Sequence, residues 1–139
     1  MALYQKIYYK PEVTLEQTIS EYSNSAETIV IPGHITTIGE YAFYGNQSVK
    51  NVVIKHGVTT ISNYAFANCP NLETVEIPDT VTSIGENAFS NSGNREGSPR
   101  LVVIVNKTAA EINAMTNAYW GLSVNTIIQT LDSKTIYVV

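Results

Sequence analysis

A repeat of 23 residues runs through the middle of the chain, and it constrains the fold more than any other feature of the sequence. Three copies begin at Thr28, Asn51 and Thr74, and each carries an alanine–phenylalanine pair at the same place. Self-similarity at a fixed period of this length is the signature of stacked repeat architectures. The pairs that set the period are Ala42-Phe43, Ala65-Phe66 and Ala88-Phe89.

Five positions of the repeat are apolar in every copy, and one copy by itself is too small to bury them. Stacked copies would bury them as ladders, in which each side chain contacts its equivalent one repeat away. Fully burying one large apolar side chain contributes about 1.5–3 kcal/mol, so we expect these ladders to be the main source of stability. The five columns are Ile31/Ile54/Ile77, Ile35/Val58/Val81, Ile38/Ile61/Ile84, Ala42/Ala65/Ala88 and Phe43/Phe66/Phe89.

Each copy also predicts the same order of local structure. The alternating segment Ile29–Ile31 predicts a strand whose outward residue is Val30. A second short strand follows, then a tight turn at Gly39 or Gly85, then a single helical turn in segments such as EYAF, and then a return loop. The sequence therefore predicts a β-rich α/β solenoid of three repeats, with parallel strands about 4.8 Å apart.

The segments IPGHITTIGEYAF, IKHGVTTISNYAF and IPDTVTSIGENAF resemble the BspA-type leucine-rich repeat. The family's usual cysteine is present only as Cys69 and is replaced by Asn46 and Ser92, and Lys55 replaces the proline of the second copy. The resemblance implies a leucine-rich-repeat-like stack that serves as a curved scaffold for binding. Such scaffolds often occur on bacterial surfaces or in phage-encoded proteins, and the resemblance does not imply catalysis.

The repeats divide the chain into three parts. Residues 1–27 are interpreted as an N-terminal arm and cap, residues 28–100 as the three repeats, and residues 101–139 as a C-terminal cap. The third copy is interrupted by a polar insertion within residues 91–100, which contains glycine and proline and predicts an exposed loop.

Local patterns predict the elements of both caps, which the open ends of a solenoid require. Thr108 and Glu111 match a capping box that begins a helix. Two alternating runs near the C-terminus predict a hairpin. The predicted cap elements are a strand at 2–9, a helix at 15–22, a strand at 101–105, a helix at 109–117 and a hairpin at 125–139.

Charge, cysteine content and hydropathy exclude several classes of protein. The formal net charge is −4, whereas nucleic-acid binding would need a basic stripe. One cysteine cannot make a disulfide framework, and no run of about 18 apolar residues predicts insertion into a membrane. The first residues do not form a signal peptide, so we expect a virion or cytoplasmic location, or an extracellular one if a leader was removed.

No set of side chains for catalysis or metal binding can be assembled from the sequence. His34 and His56 fall in different columns of the repeat, without a cysteine or carboxylate to complete a metal site. Cys69 lies in a core-facing column, which predicts a buried, unreactive thiol. Motifs for a nucleophile elbow or a phosphate loop are absent. We therefore expect no enzymatic activity, no metal and no cofactor.

Outward-facing side chains form the candidate binding surface for a protein or a glycan. The outward strand positions are half apolar, tyrosines on the turns are typical of binding patches, and two arginines lie in the insertion. The alternative for the tyrosines is that they only cover the edges of the coils. The candidate residues are Val30, Val53, Glu76, Tyr41, Tyr44, Tyr64, Arg95 and Arg100.

These features favour a non-enzymatic interaction module that belongs to a phage tail or a related surface assembly. The closing stretch VNKTAAEINAMTNAYWGLS resembles the last module of short BspA-like proteins encoded among phage tail genes. The alternatives are a purely structural assembly subunit and a fragment of a secreted bacterial adhesin. Since the arm at 2–9 and the hairpin at 125–139 both end in strands, pairing between copies into a homo-oligomer is also open.

Overall fold

The computed structural model describes residues 26–97, 99–115, 120–124 and 126–138. The strand predicted at 2–9 and the helix predicted at 15–22 therefore lie outside the described residues. Long and short strands alternate through the three repeats, and a helix and two further strands follow. The elements are β1 Thr28–Ile31, β2 Thr37–Ile38, β3 Asn51–Ile54, β4 Thr60–Ile61, β5 Thr74–Ile77, β6 Ser83–Ile84, β7 Val102–Val105, α1 Ala109–Asn113, β8 Ile127–Thr130 and β9 Thr135–Tyr137.

Strands of successive copies pair with each other one repeat apart. The long strands form a six-stranded sheet in the order β1-β3-β5-β7-β8-β9, and the short strands form a second sheet in the order β2-β4-β6. The pairs are parallel except for β8 with β9. Because the register places Thr28 beside Asn51 and Asn51 beside Thr74, equivalent residues stack directly. The predicted solenoid with parallel strands is confirmed.

The five apolar columns fill the interior of this stack, and every member is buried. The phenylalanine column forms a continuous stack of rings. The ring centroids of Phe43 and Phe66 are 5.0 Å apart and those of Phe66 and Phe89 are 5.5 Å apart, with the planes of each pair nearly parallel. An aromatic pair of this kind adds about 0.5–1.5 kcal/mol beyond its area burial. The rings therefore lie at the centre of the core.

The single helical turn predicted in each copy is not helical in the structure. Its place is taken by turns in which two residues have left-handed backbone angles, φ 59° at Tyr41 and φ 75° at Gly45 in the first copy. Left-handed residues interrupt a right-handed helix, and alternate amides are then free to bond along the stack. The Phe43 amide accordingly donates to the Ala65 carbonyl at 2.7 Å. The same positions are left-handed in the next two copies, at Tyr64, Asn68, Asn87 and Asn91.

Glycine is needed at the position that follows β6 because of packing, and not because of its backbone conformation. The backbone of Gly85 is not left-handed, so the turn itself does not require glycine. A Cβ atom at Gly85 would lie 2.4 Å from the backbone nitrogen of Asn63 in the preceding coil. The close approach of two coils, which the sequence analysis did not consider, therefore explains this glycine.

A fourth coil follows the third repeat, although the period of the sequence is lost there. Strand β7 pairs with β5, and α1 begins with the predicted capping box of Thr108 and Glu111. The Trp120 carbonyl then accepts a hydrogen bond from the Phe89 amide at 2.9 Å, as the next coil does in each earlier copy. Helix α1 ends at Asn113 rather than at residue 117, with Ala114 as its C-cap.

The predicted C-terminal hairpin is confirmed, and it does more than close the chain. Strands β8 and β9 are antiparallel neighbours. Strand β8 also pairs in parallel with β7, with Val102 beside Ile127. The hairpin thus extends the six-stranded sheet by two strands.

Candidate functional site

The outward side chains of β1, β3, β5, β7 and β8 share one side of the six-stranded sheet, which we call the strand face. The candidate residues Val30, Val53 and Glu76 stand in one row, since the register pairs each with the next. Both valines are half-buried and Glu76 is exposed, while the residues on either side of them in the strands point into the core. The alternation of each strand thus places the predicted residues together.

The strand face continues over β7 and the β8–β9 hairpin, which the sequence analysis does not include in it. Ile104 on β7 stands beside Glu76 in the same row. In the neighbouring row Val102 stands beside Ile127, and Ile127 stands beside Tyr137 on β9. The three aliphatic side chains are half-buried and Tyr137 is 59% exposed. The alternation of apolar residues in β7 and β8 is the sequence signal for this extension of the strand face, although the sequence analysis assigns both strands to the C-terminal cap.

The three candidate tyrosines contact one another on the turns that follow β2 and β4. The rings of Tyr41 and Tyr64 are stacked with centroids 5.1 Å apart, and Tyr44 meets Tyr41 edge-on at 5.3 Å. The side-chain amides of Asn68 and Asn87 donate to the hydroxyls of Tyr44 and Tyr64, at 2.6 Å and 3.2 Å. Tyr41 and Tyr44 remain about half exposed. The tyrosines form a fixed cluster, in which the rings cover part of each other's faces.

The described part of the insertion is held against the return loop of the second coil and borders a groove of about 380 Å³. The Gly93 amide donates to the Cys69 carbonyl at 3.0 Å. The Arg95 guanidinium donates to Asn71 Oδ1 at 2.7 Å. Both candidate arginines, Arg95 and Arg100, line the groove. The other wall is formed by Ser123, Val124 and Thr126, which are distant in sequence and which the sequence analysis does not connect with the loop.

The candidate residues thus form three surfaces rather than one. The strand face lies on the six-stranded sheet, the tyrosine cluster lies on the turns after the short strands, and the two arginines lie at the groove. Among the described residues that line the groove there is no member of the strand face and none of the candidate tyrosines. The structure brings the candidates together within each group but not between groups.

The thiol of Cys69 is buried, as predicted, and it has a structural partner. Its Sγ donates to the Phe43 carbonyl at 3.2 Å, and Ser92, the equivalent residue one copy later, donates to the Phe66 carbonyl in the same way. Burial raises the pKa of the Cys69 thiol to about 12. Because the thiolate is the nucleophilic form, this side chain satisfies a backbone carbonyl and is inert at neutral pH.

Native Cys69 is expected to resist alkylation by iodoacetamide at pH 8, because only about one thiol in ten thousand is ionised four pH units below its pKa. The unfolded chain in urea should react at the ordinary rate, one label per chain. Since the pKa of the folded state lies above the ordinary 9.0, the stability linked to this thiol is present below pH 9 and is lost as the pH rises towards 12. Equal labelling rates with and without urea would contradict the buried position.

Charged and metal-ligating side chains are dispersed over the described part of the chain. His56 Nδ1 lies 2.9 Å from Asp79 Oδ1, and both side chains are exposed. Within the ranges that the structure describes, no group of three or more histidine, cysteine or acidic side chains is placed to hold a metal ion. The same ranges contain no helix with the length and apolar character needed to cross a membrane.

The comparison with protein families agrees with the repeat. The model described as "BspA type Leucine rich repeat region (6 copies)" matches residues 13–98, which is more than half of the chain. The matched stretch begins ahead of the first repeat and ends within the insertion of the third. Neither the curated proteins nor the solved structures contain a significant match to the chain.

Proposed function

Because the chain belongs to the family of BspA-type leucine-rich repeat proteins, we propose that it is a non-enzymatic module that binds a protein partner through its strand face. Repeat solenoids of this family are typically interaction or adhesion modules. The observation that carries the proposal is the continuity of the strand face. The half-buried aliphatic side chains of Val30, Val53 and Ile104 stand in one row, with the exposed carboxylate of Glu76 between Val53 and Ile104.

The size of the strand face supports a role in an assembly with several copies. Five parallel strands about 4.8 Å apart give a row roughly 19 Å long. A stable interface between two proteins usually buries about 800 Å² on each partner, and a row of this length does not readily supply that area. Linking several copies can raise the overall affinity by about 10²–10⁴ without any new contact. The setting that we propose is a phage tail or a related surface assembly, and its support is the resemblance of Val105–Ser123 to the closing module of such proteins.

Replacing Ile104 with lysine is expected to weaken partner binding about tenfold or more, because an ammonium group would have to lose its water at the middle of the interface. The side chain points outward, so the fold should be retained. Wild-type protein and the variants I104K and T82K are immobilised as baits. Surface proteins from cells or particles of the source of the chain are then tested for capture by each bait. Thr82 is exposed and directly precedes β6 of the three-stranded sheet, away from the strand face, so T82K is the control.

A partner that wild type and T82K capture and I104K loses would support the proposal. Equal capture by all three baits would contradict binding through the strand face. Circular dichroism of each variant checks that the fold is intact.

A structural subunit is the second candidate, and the C-terminal part of the strand face favours it. Val102, Ile104 and Ile127 are aliphatic and half-buried, and Tyr137 beside them is exposed, so a second copy could cover this apolar area. Light scattering behind a sizing column distinguishes the two functions. A homo-oligomer that becomes monomeric in I104K would favour the structural subunit, whereas a wild-type monomer would favour the binding module.

A further inference from the structure

The groove beside the insertion has a charge opposite to that of the chain as a whole. The chain carries a net charge of −4, yet Arg95 and Arg100 line the groove and no carboxylate is among the described residues that line it. Guanidinium groups bind carboxylate and sulfate oxygens in pairs of parallel hydrogen bonds, and they do so better than ammonium groups. The groove is therefore suited to an anionic group.

The Arg95 end of the insertion is held against the second coil of the solenoid. The Arg95 amide bonds to the Pro70 carbonyl at 3.4 Å, while its guanidinium bonds to Asn71 Oδ1 at 2.7 Å. That bond occupies one nitrogen and leaves the other guanidinium donors available. Arg100 is exposed, and its side chain forms no ion pair with the residues that the structure describes. Because Arg95 is held in this way, its share of the ordering cost of binding is lowered.

The remaining lining of the groove fits a sugar ring better than a peptide or a folded domain. Its volume of about 380 Å³ lies at the small end of the range for small-molecule sites. Asn94 and Ser123 offer an amide and a hydroxyl, groups that both donate and accept hydrogen bonds as sugar hydroxyls do. Pro99 and Val124 add apolar surface for the C–H face of a ring.

We propose that this groove binds the acidic residue of a saccharide, with Arg95 and Arg100 paired to its carboxylate or sulfate group. Asn94 and Ser123 contact the ring hydroxyls, and Pro99 and Val124 contact the ring itself. This site is separate from the strand face, so a test of saccharide binding by the groove does not decide whether the strand face binds a protein.

The test is a titration of the full chain, followed through its backbone amide signals by NMR. The probes are methyl β-D-glucuronide, glucose 6-sulfate, neutral methyl β-D-glucoside and an acidic tetraglutamate peptide, each up to about 10 mM, since single sugar residues bind weakly. The expected result is a saturable shift of the amides of Asn94, Arg100 and Ser123 with at least one acidic sugar. The neutral glucoside should bind about tenfold more weakly or not at all. The stronger of the two acidic sugars identifies the anion as carboxylate or sulfate.

Matched variants locate the binding. R95Q/R100Q removes both positive charges of the groove and should lose the shifts, while K55Q/K134Q removes two exposed charges outside the groove and should keep them. Unchanged amide spectra of the free variants show that both are folded. The proposal is overturned if neither acidic sugar binds, if the neutral sugar binds equally well, or if both double variants lose binding alike. Tighter binding of the acidic peptide than of either sugar would assign the groove to acidic protein segments and overturn the saccharide proposal.

Discussion

Replacing Phe66 with alanine is expected to lower the free energy of unfolding by about 3–5 kcal/mol. The Phe66 ring is fully buried and lies between the rings of Phe43 and Phe89, so its removal leaves a cavity that two stacked neighbours border. Because the neighbouring rings are fixed by their own coils, the cavity cannot collapse readily. Urea unfolding followed by circular dichroism measures the change.

Phe66→Leu is the companion variant, which tests the same site with a smaller loss of stability. Leucine keeps most of the buried volume but loses the stacking on both Phe43 and Phe89, so its expected cost is about 1–3 kcal/mol, less than that of alanine. A control at the half-buried outward position, Val53→Ala, should change stability by about 0.5 kcal/mol at most. A loss below about 1 kcal/mol for F66A would show that the phenylalanine stack is not the centre of the core.

Replacing Gly57 with alanine is expected to lower the free energy of unfolding by about 3 kcal/mol or more. Two causes add. Gly57 has φ +118°, a backbone angle that side chains rarely adopt, and a Cβ atom there would lie 2.1 Å from the Gly33 carbonyl oxygen. Since the obstacle is backbone in the neighbouring coil, relief requires the two coils to separate at this turn.

Gly45→Ala separates these two causes. Gly45 is also left-handed, with φ +75°, but a Cβ atom there meets no other atom within 4 Å. Its expected cost is therefore the backbone term alone, about 1 kcal/mol. Thermal or urea unfolding of both variants gives the comparison, and equal losses would mean that the close approach between the Gly33 and Gly57 turns does not matter.

The candidate binding residues were predictable where the repeat governs them. Val30, Val53 and Glu76 were assigned to one row from alternation and period alone, and the register places them so. The continuation of that row through Ile104 was missed, because the third copy is interrupted and β7 no longer follows at the fixed spacing. The binding role of all these residues is still a prediction.

For the tyrosines and the arginines, the sequence predicted which residues are neighbours but not how the structure arranges them. The sequence analysis placed Tyr41 and Tyr64 on the same turn of successive copies, but the left-handed backbone that sets their direction could not be deduced, because bulky residues rarely adopt it. Arg95 and Arg100 were known to share a loop. The groove that they line was not predictable, since its second wall comes from Ser123, Val124 and Thr126 and no sequence pattern links these residues with the insertion.

The sequence by itself determined the solenoid, its parallel strands and its buried columns, because burial of equivalent residues depends only on spacing, which the 23-residue period states directly. Only the tertiary structure decided the non-helical turns, the fourth coil and the groove. The turns rest on backbone hydrogen bonds between coils, such as that of the Phe43 amide, which recur in each copy but involve no side chain that a sequence pattern could show. The fourth coil and the groove rest on contacts that have no period: the Phe89 amide on Trp120, and the insertion beside the turn before β8. Such contacts depend on how particular surfaces fit together in the folded protein, so no regular spacing in the sequence predicts them.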